Sequence, residues 1–389
     1  MQPQRRIAYL CLETPREGQA THTHVHEIIN GLKAIGWQVD LIATEAGGSA
    51  SGSAYWRRGL DYISAQWRLM RGLSSQDAVY MRAHFAALPA SLYARLRGKP
   101  VVQEINGLPD DIFVTYPWLG WLGWLVKASY RWQMKLAAHV ITVTEGLREW
   151  ALGQSGHVRV SLVGNGANTD VFTPEGPVPQ VTGPQVTVPQ VTGPQVTGRY
   201  IAFVGGITAW HGIDVMVAAT REAAWPDGVQ LVIIGDGKES GQLRAAMLSD
   251  EAARIQWLGR LPQAEAATWL RGALAALSIT QDTDNHLGTG VAPLKLFEAM
   301  ASGAAVIVTD LPFQADVVRG QSAGLVIPMA NPAALAEAVA SLAADPAIAR
   351  DMGARGAAYV RQNASWKVRA ADTASIIEGA ITSGAGHGG

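Results

Sequence analysis

Short apolar runs alternate along this chain with stretches whose apolar positions recur every three or four residues. In the first half RIAYLCL is followed by a Gly/Thr/His loop, by HEIINGLKAIG with spacing near 3.6, and by WQVDLIAT. DAVYMRA, a helix from about Leu88 to Leu96, KPVVQEIN, a helix around Val126–Ala138 and HVITVTE continue the series. Uninterrupted apolar runs are the signature of strands buried on both faces. Their alternation with amphipathic helices predicts βαβ units and a mostly parallel sheet covered on both sides.

After Pro174 the pattern stops. From Pro179 to Gly198 the chain reads PQVTG, PQVTV, PQVTG, PQVTG, four tandem pentads without charge or a packable face. Pro at every fifth position excludes a helix or a central strand, and four such short units are too few for a β-solenoid. An extended linker is expected. The alternation then restarts with YIAFVGG, VQLVIIGDG, IQWLG, LAALSIT, AAVIVTD and AGLVIP. The expected organisation is α/β with two Rossmann-like doubly wound domains. They span residues 1–174 and 199–363, with the linker at 175–198 and, at 364–389, a helix crossing back to the first domain and a Gly-rich tail. Two such domains leave a cleft at the carboxyl ends of their sheets, where ligands of open α/β folds bind.

Composition adds limits. At 389 residues the chain exceeds what one core usually supports, and 48% hydrophobic with 16% charged residues is ordinary globular usage. A net charge of −1 argues against nucleic acid as a partner. The single cysteine, Cys11, lies inside an apolar run, reads as a buried strand residue and fits a reducing cytosol. IAYLCL is too short for a secretory core, and WLGWLGWLV, Trp118 to Val126, falls far below the ~20 residues that cross a bilayer. A cytoplasmic location is expected, with the cytoplasmic face of the inner membrane as the alternative.

Candidate chemistry concentrates in NHLGTGVAPLKLFEAMASG, Asn285 to Gly303. A Gly loop runs into Pro293, which suits the first turn of a helix. Leu294, Phe297 and Ala301 mark an apolar face; Lys295 and Glu298, three apart, project from another. Loop amides, helix N-terminus and ammonium suit a diphosphate, and the carboxylate suits ribose hydroxyls. An exposed Lys/Glu pair on an ordinary helix has the same spacing.

FVGGITAWHGID, LVIIGDG, IQWLGRLP, APLKLFEAMASGAAVIVTD and AGLVIP, with the looser VVQEINGL, VITVTEGL and NGANTDVFTP, resemble the retaining GT-B glycosyltransferases of glycosyltransferase family 4. The resemblance covers nearly the whole chain outside the pentads. It implies transfer of a sugar from a nucleotide-sugar donor to a sugar, lipid-linked or small-molecule acceptor, with the anomeric configuration retained. No cofactor and no metal are implied. Charge developing on the departing diphosphate calls for preorganised positive potential, supplied by the helix beginning near Ala292–Pro293. The acceptor hydroxyl attacks from the leaving-group face and a donor phosphate oxygen takes its proton. Glu298 then binds ribose and is not a nucleophile.

The chain departs from the family pattern in two places. The family carries two glutamates eight apart; Glu298 matches the second, but Gly290 stands at the first, with His286 and Asn285 as nearby substitutes. Many relatives also place an Arg and a Lys after the first strand of the second domain, where this chain has Gly206 and His211. The diphosphate then relies on a protonated His211 or on Arg260. The donor-binding set expected from the resemblance is Gly18, Gly206, His211, Gly235, Asp236, Arg260, Gly290, Val291, Ala292, Pro293, Leu294, Lys295 and Glu298. Gly235 and Asp236 also suit a plain strand-end turn. The catalytic candidates at strand ends facing the cleft are His84, Glu104 and Asn106, with no His at the position where many relatives have one.

His22, His24 and His26 lead into a helix and do not converge on one metal; one of them near the cleft is expected. Trp118, Trp121, Trp124 and Trp132 accompany Lys127, Arg131 and Lys135, spaced i, i+4, i+8. This pattern fits peripheral contact with an anionic membrane through Trp118–Lys135, and equally a helix packed on its own domain. Two other functions remain open: a non-catalytic GT-B partner subunit, and a nucleotide-sugar 2-epimerase on the same architecture.

Overall fold

Each apolar run read as a strand is one in the computed structural model, and every strand pair among the described residues is parallel. The structure describes residues 4–16, 18–44, 54–115, 117–156, 159–179, 198–247, 254–281 and 287–385. The chain divides into two units, Met1–Gly164 with Trp366–Gly389, and Asn165–Ser365.

The first unit holds β1 (Arg6–Cys11), β2 (Gln38–Ala43), β3 (Ala78–Arg82), β4 (Val101–Ile105), β5 (His139–Thr142) and β6 (Val160–Leu162), in the order β2-β1-β3-β4-β5-β6. The order reverses between β1 and β3, so their carboxyl ends open a crevice. The three residues of β6 were not anticipated from the pattern. Ile7 to Cys11 and Val101 to Ile105 are buried without a break, as expected of strands covered on both faces. The helix Trp366–Ala385 packs on Ala20–Ala34. A Cβ on Gly31 would come within 2.3 Å of Ala370 Cβ, so the helices touch backbone to backbone there. Arg5 closes the contact with two 2.8 Å hydrogen bonds to Glu378.

The second unit holds β7 (Arg199–Val204), β8 (Val229–Ile234), β9 (Ile255–Gly259), β10 (Ala275–Ser278), β11 (Ala305–Thr309) and β12 (Gly324–Ile327), in the order β12-β11-β10-β7-β8-β9. The reversal lies between β7 and β10. Separate apolar clusters fill the two faces of this sheet, one around Phe203 and Leu335, the other around Phe297 and Met300. Residues 165–174, assigned from sequence to the first domain, belong to this unit. Asn165 Nδ2 donates to Ala292 O (2.6 Å), Ala167 bridges Ser365, and Phe172 is buried in the second cluster. The pentads from Gln180 on lie outside the described residues.

Candidate functional site

In the second unit the strand ends form a stack of tight turns. Gly205 N–H donates to Ile234 O (2.9 Å), Ile207 N–H to Asp236 O (3.1 Å) and Gly235 N–H to Gly259 O (2.8 Å). A Cβ on Gly235 would sit 1.8 Å from Gly205 O, so the turns after β7 and β8 meet without space for any side chain. Gly235 is therefore required by the fold at this strand end, whereas a Cβ on Gly206 would meet only His211, 3.9 Å away. The Asp236 carboxylate accepts from Gly237 N–H (2.8 Å) and Ser240 Oγ (2.6 Å) at the start of the helix Ser240–Met247, and these bonds hold its pKa below the usual value. The strand-end-turn reading of Asp236 therefore accounts for its side chain. Arg260 stands exposed just after β9.

The helix Leu294–Ala301 begins at this edge. Pro293 is its cap, in extended conformation, one position before the helix and not in its first turn. The loop ahead is pinned: Val291 N–H donates to Pro312 O (3.2 Å), and Asn165 holds Ala292 O. Phe313 accepts a left-handed φ of 70° to complete that contact, an unfavourable conformation for a bulky residue. Gly290 has φ 88°, and a Cβ there would lie 3.1 Å from Pro312 O. The glutamate expected from the family pattern is incompatible with this backbone. Gly290→Glu should lower stability by about 1–2 kcal/mol in chemical denaturation; an unchanged midpoint would refute the strain. Asn285 and His286 lie outside the described residues.

Leu296 and Phe297 are fully buried while Leu294 is half-buried, so the core-facing stripe is shifted from the expected one. Lys295 differs most. Instead of projecting outward, it runs beneath the turn after β7: its Nζ sits 4.3 Å above the Phe203 ring centroid and 3.2 Å from where a Gly205 Cβ would be. The ammonium is buried and has no hydrogen-bond partner among the described residues. Burial lowers its pKa to about 7, against the opposing pull of Glu298, half-buried one turn later.

Of the two cations expected here, a protonated His211 or Arg260, the surroundings of His211 disfavour the first. Its Nδ1 lies 2.5 Å from Gly206 O and 2.9 Å from Thr208 Oγ1, and burial, then the neighbouring Lys295, push its pKa down to about 3. His211 is a neutral ring holding the β7 turn.

In the first unit a polar cavity of about 540 Å³ opens at the carboxyl ends of β1, β3 and β4. His84 and Asn106 line it; Glu104 does not. Glu104 is wholly buried beneath the cavity, contacted by His24 Nε2 (2.9 Å), Arg82 (3.2 Å), the Tyr80 hydroxyl and the Asn106 amide. Burial alone would raise its pKa; His24, Arg82 and Tyr80 hold it at about 2. Glu104 is a buried anion that fixes its neighbours, which corrects its place among the catalytic candidates. The reason is that the β4 side chain meets the helix Ala20–Ala34, whose His24 is itself buried. His22 and His26 stack on that helix, centroids 4.1 Å apart, apart from His24. Among the described residues no three His, Cys, Asp or Glu side chains could share a metal.

His84 Nδ1 accepts from Ala86 N–H (3.2 Å), and burial lowers its pKa to about 4. The ring is neutral and offers Nε2–H as a donor. It stands between Tyr62 and Phe85, centroids 4.8 and 4.4 Å away. Arg82, which the sequence reading passed over, also lines the cavity and bridges Glu13 (3.2 Å) to Glu104. Its place two residues before His84 on the same strand end was the available signal. Gly18 is exposed in the β1 turn with φ 80°; its neighbours Arg16 and Gln19 reach the cavity wall, and it does not.

Comparison with known proteins agrees with this architecture. The profile described as Glycosyltransferase Family 4 matches residues 21–171, and that described as Glycosyl transferases group 1 matches residues 198–345, on either side of the pentads. An alpha-maltose-1-phosphate synthase of Mycolicibacterium smegmatis is 28% identical over 336 residues, 82% of each chain. A phosphatidyl-myo-inositol mannosyltransferase of Mycobacterium leprae is 32% identical over 158 residues, 41% of this chain and 40% of that one. Among solved structures, sucrose-phosphate synthase from Thermosynechococcus elongatus superposes with TM-score 0.74 at 16% identity, over 98% of this chain and 100% of the other. Anabaena HepE in complex with UDP-glucose gives TM-score 0.68 at 12% identity, over 97% and 100%. With two parallel six-stranded sheets and both family profiles, the chain belongs to the GT-B glycosyltransferases of the group 1, family 4 type.

Proposed function

We propose that this glycosyltransferase moves a sugar from a nucleotide-sugar donor to a hydroxyl acceptor with retention of configuration and without a metal. The observation that carries the reading is the buried, unpartnered Lys295 ammonium at the N-terminus of the helix Leu294–Ala301. A buried cation without a partner is costly, and a diphosphate supplies the missing partner. The amides of the first helical turn add donors for the same oxygens. Together they stabilise the charge of the departing diphosphate, the role a metal plays in other transferases. In this reading Glu298 accepts from ribose hydroxyls and Arg260 flanks the base.

The cavity of the first unit takes the acceptor in this reading. Neutral His84 donates through Nε2–H, and Asn106, its amide nitrogen committed to Glu104, offers its oxygen. The acceptor hydroxyl attacks from the side of the leaving diphosphate, and a phosphate oxygen receives its proton. A UDP-sugar is the first donor to test, because HepE structures contain UDP and UDP-glucose. Relatives named for glycolipid and saccharide synthesis favour a role in cell-surface glycolipid or polysaccharide assembly at the cytoplasmic side of the membrane. Peripheral contact through Trp118–Lys135 belongs to that picture. No helix among the described residues is long and apolar enough to cross a bilayer.

A thermal-shift series with UDP, GDP, ADP and their sugars tests the donor. A ligand at one hundred times its Kd stabilises by about 2.7 kcal/mol. No shift with any nucleotide would favour a non-catalytic subunit, and conversion of the nucleotide sugar without acceptor would favour an epimerase. The anomeric proton signal of the product decides between retention and inversion.

A further inference from the structure

The first unit carries an unusually one-sided surface. The helix Ala54–Gly72 packs on Leu88–Leu96, which packs on Gly123–Leu136, so the three form one layer. Along the first, Leu60, Ile63 and Trp67 are 53%, 64% and 55% exposed and follow one stripe that ends in Arg71, whose guanidinium lies 5.1 Å from the Trp67 ring centroid. The second adds exposed Leu92 and Leu96 beside Arg95. At the third, Trp121, Trp124 and Trp132 are 74%, 69% and 56% exposed, with Arg131 and Lys135 exposed among them and Lys127 paired to Asp110 of the preceding loop (2.9 Å).

Large exposed apolar side chains are usually scattered singly; a contiguous set marks an interaction surface. The charge identifies the partner. The chain as a whole carries −1, yet the described exposed residues of these three helices include basic side chains and no acidic one. Asp61 is half-buried at the cavity side. Tryptophans beside Lys and Arg suit the boundary between headgroups and acyl chains, where the ring body is apolar and the cation meets lipid phosphate.

We propose that the outward face of this three-helix layer is a docking surface for an anionic lipid bilayer. It rests on the peripheral contact proposed above only for the Gly123–Leu136 helix. It extends that contact to two helices that the sequence had not suggested, and it is independent of the donor site. The surface gives the cavity, whose wall includes Arg58 and Tyr62 of the first helix, a fixed relation to the membrane.

Flotation of the full chain with vesicles tests it without any nucleotide. Binding is expected to vesicles of 70% phosphatidylcholine and 30% phosphatidylglycerol at low salt, and to fall steeply at about 1 M salt. Arg71→Ala with Arg131→Ala should weaken binding about 25-fold, at roughly fivefold for each cation near an anionic surface. Nucleotide-induced thermal shift should be unchanged in this variant, which separates loss of docking from loss of folding. Trp67→Ser provides a second reading by lowering membrane affinity without altering charge. Absence of binding, binding unchanged by the double substitution, equal binding to phosphatidylcholine alone, or retention on duplex DNA without retention on vesicles would each overturn the proposal.

Discussion

Lys295→Met should lower donor turnover by two to three orders of magnitude while leaving the fold intact. The size follows from the loss of a buried, preorganised charge aimed at the leaving diphosphate; removing one such donor elsewhere costs about 10²–10³ in rate. Methionine keeps the volume over Phe203 and removes the ammonium, so packing changes little. The same residue gives donor binding a pH dependence. Burial sets the free ammonium pKa at about 7 against the ordinary lysine value of 10.5, so the neutral amine prevails as pH rises above 7. The diphosphate requires the charged form and raises that pKa on binding. Affinity should be flat below about pH 7 and fall roughly tenfold per unit above it, with proton uptake measurable by calorimetry in buffers of different ionisation enthalpy. The sign for folding is opposite. The unfolded chain binds the extra proton between 7 and 10.5, so wild-type stability rises with pH in that window. The stability gain of the methionine variant should therefore be largest in acid and shrink above pH 7. Full donor affinity in Lys295→Met would end the assignment.

Glu104→Ala should destabilise the chain by about 3–5 kcal/mol, because it leaves the buried Arg82 guanidinium without its anion and three further groups without their partner. His24 and Arg82 approach the carboxylate at 2.9 and 3.2 Å, and Tyr80 and Asn106 also direct donors at it. Glu104→Gln keeps the shape and some acceptors and should cost less. The pKa of about 2, below the ordinary glutamate value of 4.5, adds an acid limit. This stabilisation is complete above about pH 4.5 and is lost as pH falls toward 2. Urea titrations at pH 7 and pH 3 measure both effects; a loss under about 1 kcal/mol at pH 7 would show that the network is dispensable.

The fold was legible because parallel strands buried on both faces leave uninterrupted apolar runs, and eleven of the strands announced themselves in this way. The short β6 was too brief to do so. The helix Ala54–Gly72 did not stand out because its stripe of Leu60, Ile63 and Trp67 faces outward among arginines, which blurs the usual inside–outside contrast. Around the candidate site, local spacing anticipated the Gly loop and the helix after it but misread where Lys295 points. Its burial depends on a turn ninety positions earlier in the chain, Gly205, and no periodicity within a helix reports on that. Glu104 was misread for a related reason. A carboxylate at a strand end resembles a ligand-facing group until the covering helix brings His24 onto it.

The contact between Gly205 and Gly235 has a mechanical consequence. With 1.8 Å between an added Cβ and the opposing carbonyl, the two turns cannot slide independently. The hydrogen bonds from Gly205 N–H to Ile234 O and from Ile207 N–H to Asp236 O tie the β7 turn to the β8 turn. Through Asp236, hydrogen-bonded to Ser240, the tie reaches the helix Ser240–Met247. Lys295, lying against Gly205, is the group through which an arriving anion would act on these turns.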